Sequence, residues 1–229
     1  MDYSHFVSLP LAIHTELVNK LFNFQTSILG ATESQTNSNI VYMSNLGIEK
    51  STFNNPKTFH LTVLMLKLWN KALVEKAAEV LQSVSSKVID ALENRPVFVR
   101  LKGLECMKGS LANARVLYAP VEEIGSEGRL SRACQVIIDA FIEAGLVLEK
   151  DKEQKLKLHA TVMNARHTKG RSRKNRSFDA RTIIKCYDSE EWGEYLIREA
   201  HLSQRFAYDE NGYYRCCASI PFPSDSQLG

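Results

Sequence analysis

No run of apolar residues in this chain reaches the roughly 20 positions that a membrane-crossing helix needs, so a membrane partner is not expected. Cysteine is sparse and irregular, with five in 229 residues: Cys106, Cys134, Cys186, Cys216 and Cys217. An odd count at uneven spacing argues against a disulfide framework. No pair has the gap of a zinc knuckle, and His-Glu-x-x-His is absent, so no metal or other cofactor is expected. Reduced thiols in a cytosolic or nuclear protein fit this pattern. Met1-Asp2-Tyr3-Ser4-His5 has neither the basic start nor the apolar stretch of a signal peptide, which predicts a soluble protein outside the classical secretory route. Nor is charge of one sign in excess. Lys and Arg number 29 against 26 Asp and Glu, a formal +3, so only the placement of charge can argue for nucleic acid.

Hydrophobic residues make up 44% of the chain, enough for a sizeable core in one domain or in two lobes. Ser4–Leu9 reads as a strand. Pro10 is expected to open a helix whose stripe is Ile13, Leu17, Leu21, Phe24 and Ile28, stopped by Gly30. The Ser-, Thr- and Asn-rich stretch 31–39 reads as a loop. Asn70 is set to cap one long helix carrying Leu73, Ala77, Val80, Leu81, Val84, Val88 and Leu92, ended by Pro96. Val97, Val99 and Leu101 alternate with Phe98, Arg100 and Lys102 as a half-exposed strand, expected to form a hairpin with a second strand over 115–122. Leu130, Ala133, Cys134, Ile137 and Phe141 repeat the helical stripe, and Gly145 ends it. A short helix is expected to begin at Phe178-Asp179-Ala180-Arg181 and to run through about Tyr187, then closing strands over 201–206 and 213–222.

Two stretches stand out because they resemble each other: Thr58-Phe59-His60-Leu61-Thr62-Val63-Leu64-Met65 and Lys157-Leu158-His159-Ala160-Thr161-Val162-Met163-Asn164. In a strand, His60 and Thr62 share one face, as do His159 and Thr161. Phe59, Leu61, Val63 and Met65, and likewise Leu156, Leu158, Ala160 and Val162, would face a core. A single His-x-Thr is weak evidence of function. Two, in the same phase and placed one per half, predict an internal duplication. Each half then reads strand, helix, motif strand, helix, strand. The expected fold is α+β, a pseudo-twofold, two-lobe arrangement of antiparallel sheets around a groove with outer helices. One domain would span 1–229, with lobes meeting near residue 110.

The doubled His-x-Thr resembles the two-histidine phosphoesterase superfamily of RNA ligase-like and cyclic phosphodiesterase proteins. Asn55-Pro56-Lys57, the run 157–164, Ser177-Phe178-Asp179 with Arg181, and His201-Leu202-Ser203-Gln204-Arg205-Phe206 resemble more narrowly the branch of it that belongs to a transcriptional signal-cointegrator complex. That resemblance implies the two-lobe fold, a nuclear and also cytoplasmic location, other subunits of a cointegrator/helicase complex as partners, and roles in transcription coactivation and alkylation-damage repair. In that branch a KH module precedes this domain. Gly125-Ser126-Glu127-Gly128 has the Gly-x-x-Gly form of a KH loop, but Glu127 would repel a phosphate backbone, so it reads as a turn.

An imidazole titrates near neutrality. A pair can therefore divide acid and base roles on a phosphodiester, with Thr62 and Thr161 donating to nonbridging oxygens. His60, Thr62, His159 and Thr161 are the candidate catalytic residues, acting without a metal. Which histidine is the acid stays open at this point. Lys157 lies on the same face as His159. Tyr118 and Phe206 are candidates to stack on a base. Arg171, Arg173 and Lys174 lie in a basic segment, 167–181, that leaves the second motif directly and would steer phosphate. His201 and Ser203 form a third His-x-Ser, ranked as a secondary groove site. The expected function is a metal-independent phosphodiesterase or RNA-end-processing domain acting on RNA or nucleotide phosphate. The alternative is a catalytically silent nucleotide- or RNA-binding subunit.

Overall fold

The computed structural model describes residues 3–30, 48–125, 127–167 and 176–224. In chain order the elements are β1 (His5–Pro10), α1 (Thr15–Leu29), β2 (His60–Leu66), α2 (Lys71–Ser83), α3 (Ser85–Ala91), β3 (Phe98–Lys102), β4 (Glu105–Lys108), β5 (Val116–Glu123), α4 (Arg129–Glu143), β6 (His159–Asn164), α5 (Arg181–Tyr187), β7 (Glu191–Leu196), β8 (Glu199–Tyr208) and β9 (Tyr214–Pro221). They form two antiparallel sheets with helices packed against them, an α+β fold. One sheet runs β2-β1-β8-β9. In the other, β5 is central, with β6 on one edge and β4 then β3 along the other, and β7 outside β3.

The two sheets are built alike. Pro10, Leu9 and Ser8 of β1 pair with His60, Leu61 and Thr62 of β2. Pro120, Ala119 and Tyr118 of β5 pair with His159, Ala160 and Thr161 of β6. Beyond the threonine both ladders skip one residue, so Val7 meets Leu64 and Leu117 meets Met163. Val63 and Val162 are the extra residues, each a β-bulge. A bulge reverses the face of everything after it. This corrects the expected phase: Leu64 and Leu66 are buried, and Met65, expected inside, is only half-buried.

Each sheet takes strands from both halves of the chain. β8 and β9 complete the sheet begun by β1 and β2, while β3 and β4 join β5 and β6. A cut near residue 110 separates the two motif strands but not the two sheets.

Most helical stripes pack as their periodicity predicts. Leu17, Leu21, Phe24 and Ile28 of α1 are buried, as are Leu130, Ala133, Cys134, Ile137 and Phe141 of α4. Pro10 closes β1 instead of opening α1, and Ile13 lies outside the helix at 43% exposure. The long helix expected after Asn70 breaks at Val84, whose φ and ψ of −96° and 3° leave the helical range; the run Ser83-Val84-Ser85-Ser86 has little helix propensity to resist this. Asn70 does cap α2, accepting from the Leu73 amide. β3 and β4 are one strand interrupted at Gly103 (φ +73°), and both pair with β5 in place of a simple hairpin. Pro120 sits opposite that interruption, where the missing N–H leaves no ladder bond unmade.

Gly125 and Gly128, at φ +93° and +70°, precede α4, and Ser126 between them lies outside the described residues. The buried Arg129 beside Gly128 donates to the carbonyls of Leu92, Arg95 and Pro96 after α3, supplying donors to the end of that helix. β7 has no clear signal in the sequence. Its buried residues Trp192 and Tyr195 are three apart, because Gly193 at φ +119° interrupts the alternation.

Candidate functional site

β2 and β6 lie next to each other where the sheets meet. Asn54, just before the first motif, ties them together. Its amide N–H donates to the Val162 carbonyl at 2.9 Å and its side-chain Nδ2 to the Thr161 carbonyl at 2.9 Å. Gln25 of α1 holds the Asn54 carbonyl at 2.8 Å. The two His-x-Thr motifs are thus brought to one seam, and a proton on His159 would act electrostatically against one on His60.

Both histidines open their strands, and both are oriented in the same way. Nδ1 of His60 lies 2.6 Å from the Thr58 carbonyl, and Nδ1 of His159 lies 2.7 Å from the Lys157 carbonyl. A carbonyl only accepts, so Nδ1 carries the hydrogen in each ring, and Nε2 is left to exchange a proton. In His60 that nitrogen faces the Thr62 hydroxyl at 3.1 Å, and the hydroxyl donates to it.

The surroundings of the two rings differ. His60 lies under aromatic cover: Phe6 is 5.0 Å away between centroids and Tyr214 meets it edge-on at 5.5 Å. Burial is the main cause that lowers its pKa to about 4. The Thr58 hydrogen bond opposes this, and the charge of His159 adds to it. His60 is therefore neutral at physiological pH. His159, like His60, is half-buried by its exposed area. Its ring meets Tyr118 edge-on at 5.5 Å, and Tyr118 in turn donates to Glu105 at 2.5 Å and accepts from Lys157 at 3.1 Å.

Several residues read as substrate contacts have other settings. Tyr118 is only 3% exposed; it braces His159 and offers no face to a base. Lys157 is engaged with the Tyr118 hydroxyl and ring. Ser203 is fully buried and hydrogen-bonded to Ser8, which also bonds the Tyr213 hydroxyl, so it belongs to the sheet interior and not to a groove wall. His201 follows Thr62 and Ser8 in one cross-strand row, about 10 Å from Thr62 at two strand spacings, so it is not a third arm of the pair. It is ion-paired with Glu199 at 2.9 Å. Burial opposes its protonation, but the Cys216 sulfur and Glu199 outweigh this and raise it to about 9. Glu199 is the firmer of the two partners, because the Cys216 thiol donates to the Ala218 carbonyl and His201 Nδ1 meets no partner in hydrogen-bond geometry. Phe206 is 75% exposed on β8. Arg171, Arg173 and Lys174, and the stretch 31–39, lie outside the described residues.

Sequence reasoning misses Asn54, Glu105 and Tyr214. Asn54 stands in an Asn-Asn-Pro run that signals no more than a turn, and the other two reach the site through strand pairing that no local pattern announces.

Comparison with known proteins fits this geometry. Two sheets joined at a seam, each contributing one His-x-Thr strand, define a two-lobe fold shared with solved structures. The fold matches TT0787, a protein of Thermus thermophilus (TM-score 0.56, 16% identity, 97% of this chain and 99% of that one), and Escherichia coli LigT complexed with NADP+ (TM-score 0.54, 12% identity, 97% and 98%). The chain belongs to the AKAP7 2'5' RNA ligase-like domain family, whose model matches residues 3–222. It is 28% identical over 237 residues to activating signal cointegrator 1 complex subunit 1 of Mus musculus, covering 96% of this chain and 63% of that protein. It is also 29% identical over 175 residues to the uncharacterized protein C15D4.13c of Schizosaccharomyces pombe, covering 75% and 80%.

Proposed function

We propose that this protein is a metal-independent phosphodiesterase acting on a nucleoside 2',3'-cyclic phosphate or an RNA end. The observation that carries the reading is the matched pair of imidazoles, each held by its Nδ1 on a strand carrying a threonine two residues on. His60, kept neutral by burial, takes the proton from the attacking water or ribose hydroxyl. The attacking oxygen bonds to phosphorus, the bond to the leaving ribose oxygen breaks, and that oxygen receives a proton from His159. Thr62 and Thr161 donate to the nonbridging oxygens, where charge grows. A phosphate oxygen would replace His60 as the acceptor of the Thr62 hydroxyl.

The name of the mouse relative supports a further reading, in which this chain works with other subunits of a signal cointegrator complex; the helicase partner, the nuclear location and the roles in transcription coactivation and alkylation repair that the sequence resemblance implies are part of the same proposal. Affinity capture of the tagged chain from nuclear extract, followed by mass spectrometry, tests it; failure to recover such subunits would count against it.

The enzymatic test is hydrolysis of nucleoside 2',3'-cyclic phosphates and short RNAs in EDTA. Each general acid or base contributes about a hundred- to ten-thousand-fold in rate. His60→Ala and His159→Ala should each lose that much, and the double variant little more than one single, because the two act as a unit. The acidic limb of kcat/KM should fall near pH 4 for a base with the His60 pKa. Nucleotide binding without turnover in the wild type would leave the silent binding subunit as the correct reading.

A further inference from the structure

The β8–β9 hairpin carries exposed aromatic surface that the two-histidine chemistry does not use. Between the pairs Ser203–Cys216 and Tyr208–Tyr214, β8 has three more residues than β9, so it bulges over 204–207. Phe206 stands on this bulge, 75% exposed and with φ +62°. A left-handed backbone is unfavourable for a non-glycine residue, and it is uncommon for a bulky ring. An aromatic side chain held strained and in solvent contributes nothing evident to the core, and such outliers cluster at binding sites.

Its neighbours give the surface a direction. The Arg205 guanidinium lies over the Phe206 ring at 4.6 Å, anchored by donation to the Tyr3 carbonyl at 2.8 Å. Tyr208, 55% exposed, packs on Tyr214 with centroids 5.5 Å apart, and Tyr214 meets His60 at 5.5 Å. Arg205 is close enough for its charge to act on Tyr214 and, from the other sheet, on His167 just after β6. Rings thus run from His60 through Tyr214 to Tyr208, and Arg205, whose charge reaches Tyr214 and whose guanidinium covers Phe206, joins Phe206 to them, with Arg166 adjoining His167.

We infer that the strip formed by Tyr214, Tyr208 and Phe206 with Arg205 is a stacking platform for a single-stranded polynucleotide, which makes the substrate of the proposed site a chain of several nucleotides and not a lone mononucleotide. This rests on the phosphodiesterase reading for its catalytic meaning, but the platform can be tested without turnover. Stacked aromatics accept any base, each contributing about five- to hundredfold in affinity, and a guanidinium adds charge toward the backbone. An apolar docking surface for a protein would not call for the arginine laid on the ring.

The experiment is fluorescence anisotropy in the His60→Ala/His159→Ala background, with a labelled mixed-sequence RNA hexamer, the same DNA hexamer and AMP as probes. The hexamers should bind at least about tenfold more tightly than AMP. Phe206→Asn should weaken hexamer binding about five- to hundredfold and leave AMP binding unchanged. The same variant should raise the melting temperature, because Asn tolerates the left-handed backbone better; a merely structural Phe206 would lower it. Phe206→Trp should restore hexamer affinity. If hexamers bind no better than AMP, or Phe206→Asn leaves hexamer affinity unchanged, the platform is wrong. If the platform result holds while wild type shows no turnover, the phosphodiesterase reading alone fails.

Discussion

The two catalytic candidates are chemically the same residue, and their neighbours make them different. Both rings are half-buried, but Phe6 and Tyr214 pack against His60, while Tyr118 meets His159 edge-on. The depressed His60 pKa also ties stability to pH. In the unfolded chain His60 protonates near pH 6.5, and in the folded protein only near 4. The folded state binds fewer protons in that window, so the contribution of this group is fully present above pH 6.5 and is lost as pH falls toward 4. The full loss is about 3 kcal/mol at most. Urea unfolding between pH 7.5 and 4 should show the decline, and His60→Gln should flatten it. His201 has the opposite sign. Its raised pKa, about 9, gives stability present below pH 6.5 and lost as pH rises through 9, and His201→Gln should remove that alkaline decline.

Elements show where sequence reasoning reaches and where it stops. Stripes such as Leu17-Leu21-Phe24-Ile28 and alternations such as Val97-Val99-Leu101 were legible, because burial of one face imposes its own period. The shared phase of the two motifs was legible for the same reason. The bulges at Val63 and Val162 were not, since a one-residue skip is set by the partner strand and leaves no trace in composition. Nor was β7, whose period is interrupted by Gly193, nor the burial of Ser203, whose partner Ser8 is also held by Tyr213 from the bend before β9. The junction of β3 and β4 gives an element-scale prediction. A Cβ on Gly103 would sit 2.3 Å from the Asp188 carbonyl oxygen, in a left-handed backbone, and Trp192 Nε1 donates to the Gly103 carbonyl at 2.9 Å. Gly103→Ala should cost roughly 2 kcal/mol or more, read as a drop in the denaturation midpoint. Gly145→Ala, also at positive φ but with nothing within 4 Å, should cost less.

At the scale of the whole molecule, the site depends on how one sheet is seated against the other, and Asn54 is the side chain that stitches the seam. Asn54→Ala removes the bond to the Thr161 carbonyl while leaving both histidines in place. Small misplacements of reacting groups are expensive in rate. It should therefore lower kcat on a cyclic phosphate about ten- to hundredfold, while circular dichroism shows the fold retained. An unchanged kcat would mean that the lobes are aligned by packing alone. The exchange of strands between halves has a consequence for biogenesis. His5 pairs with Gln204, 199 residues later (204 − 5), so one flank of β1 waits for nearly the entire chain to be made. At about 5–20 residues per second that edge stays bare for some 10 to 40 seconds during synthesis, an interval in which it is open to pairing with another chain.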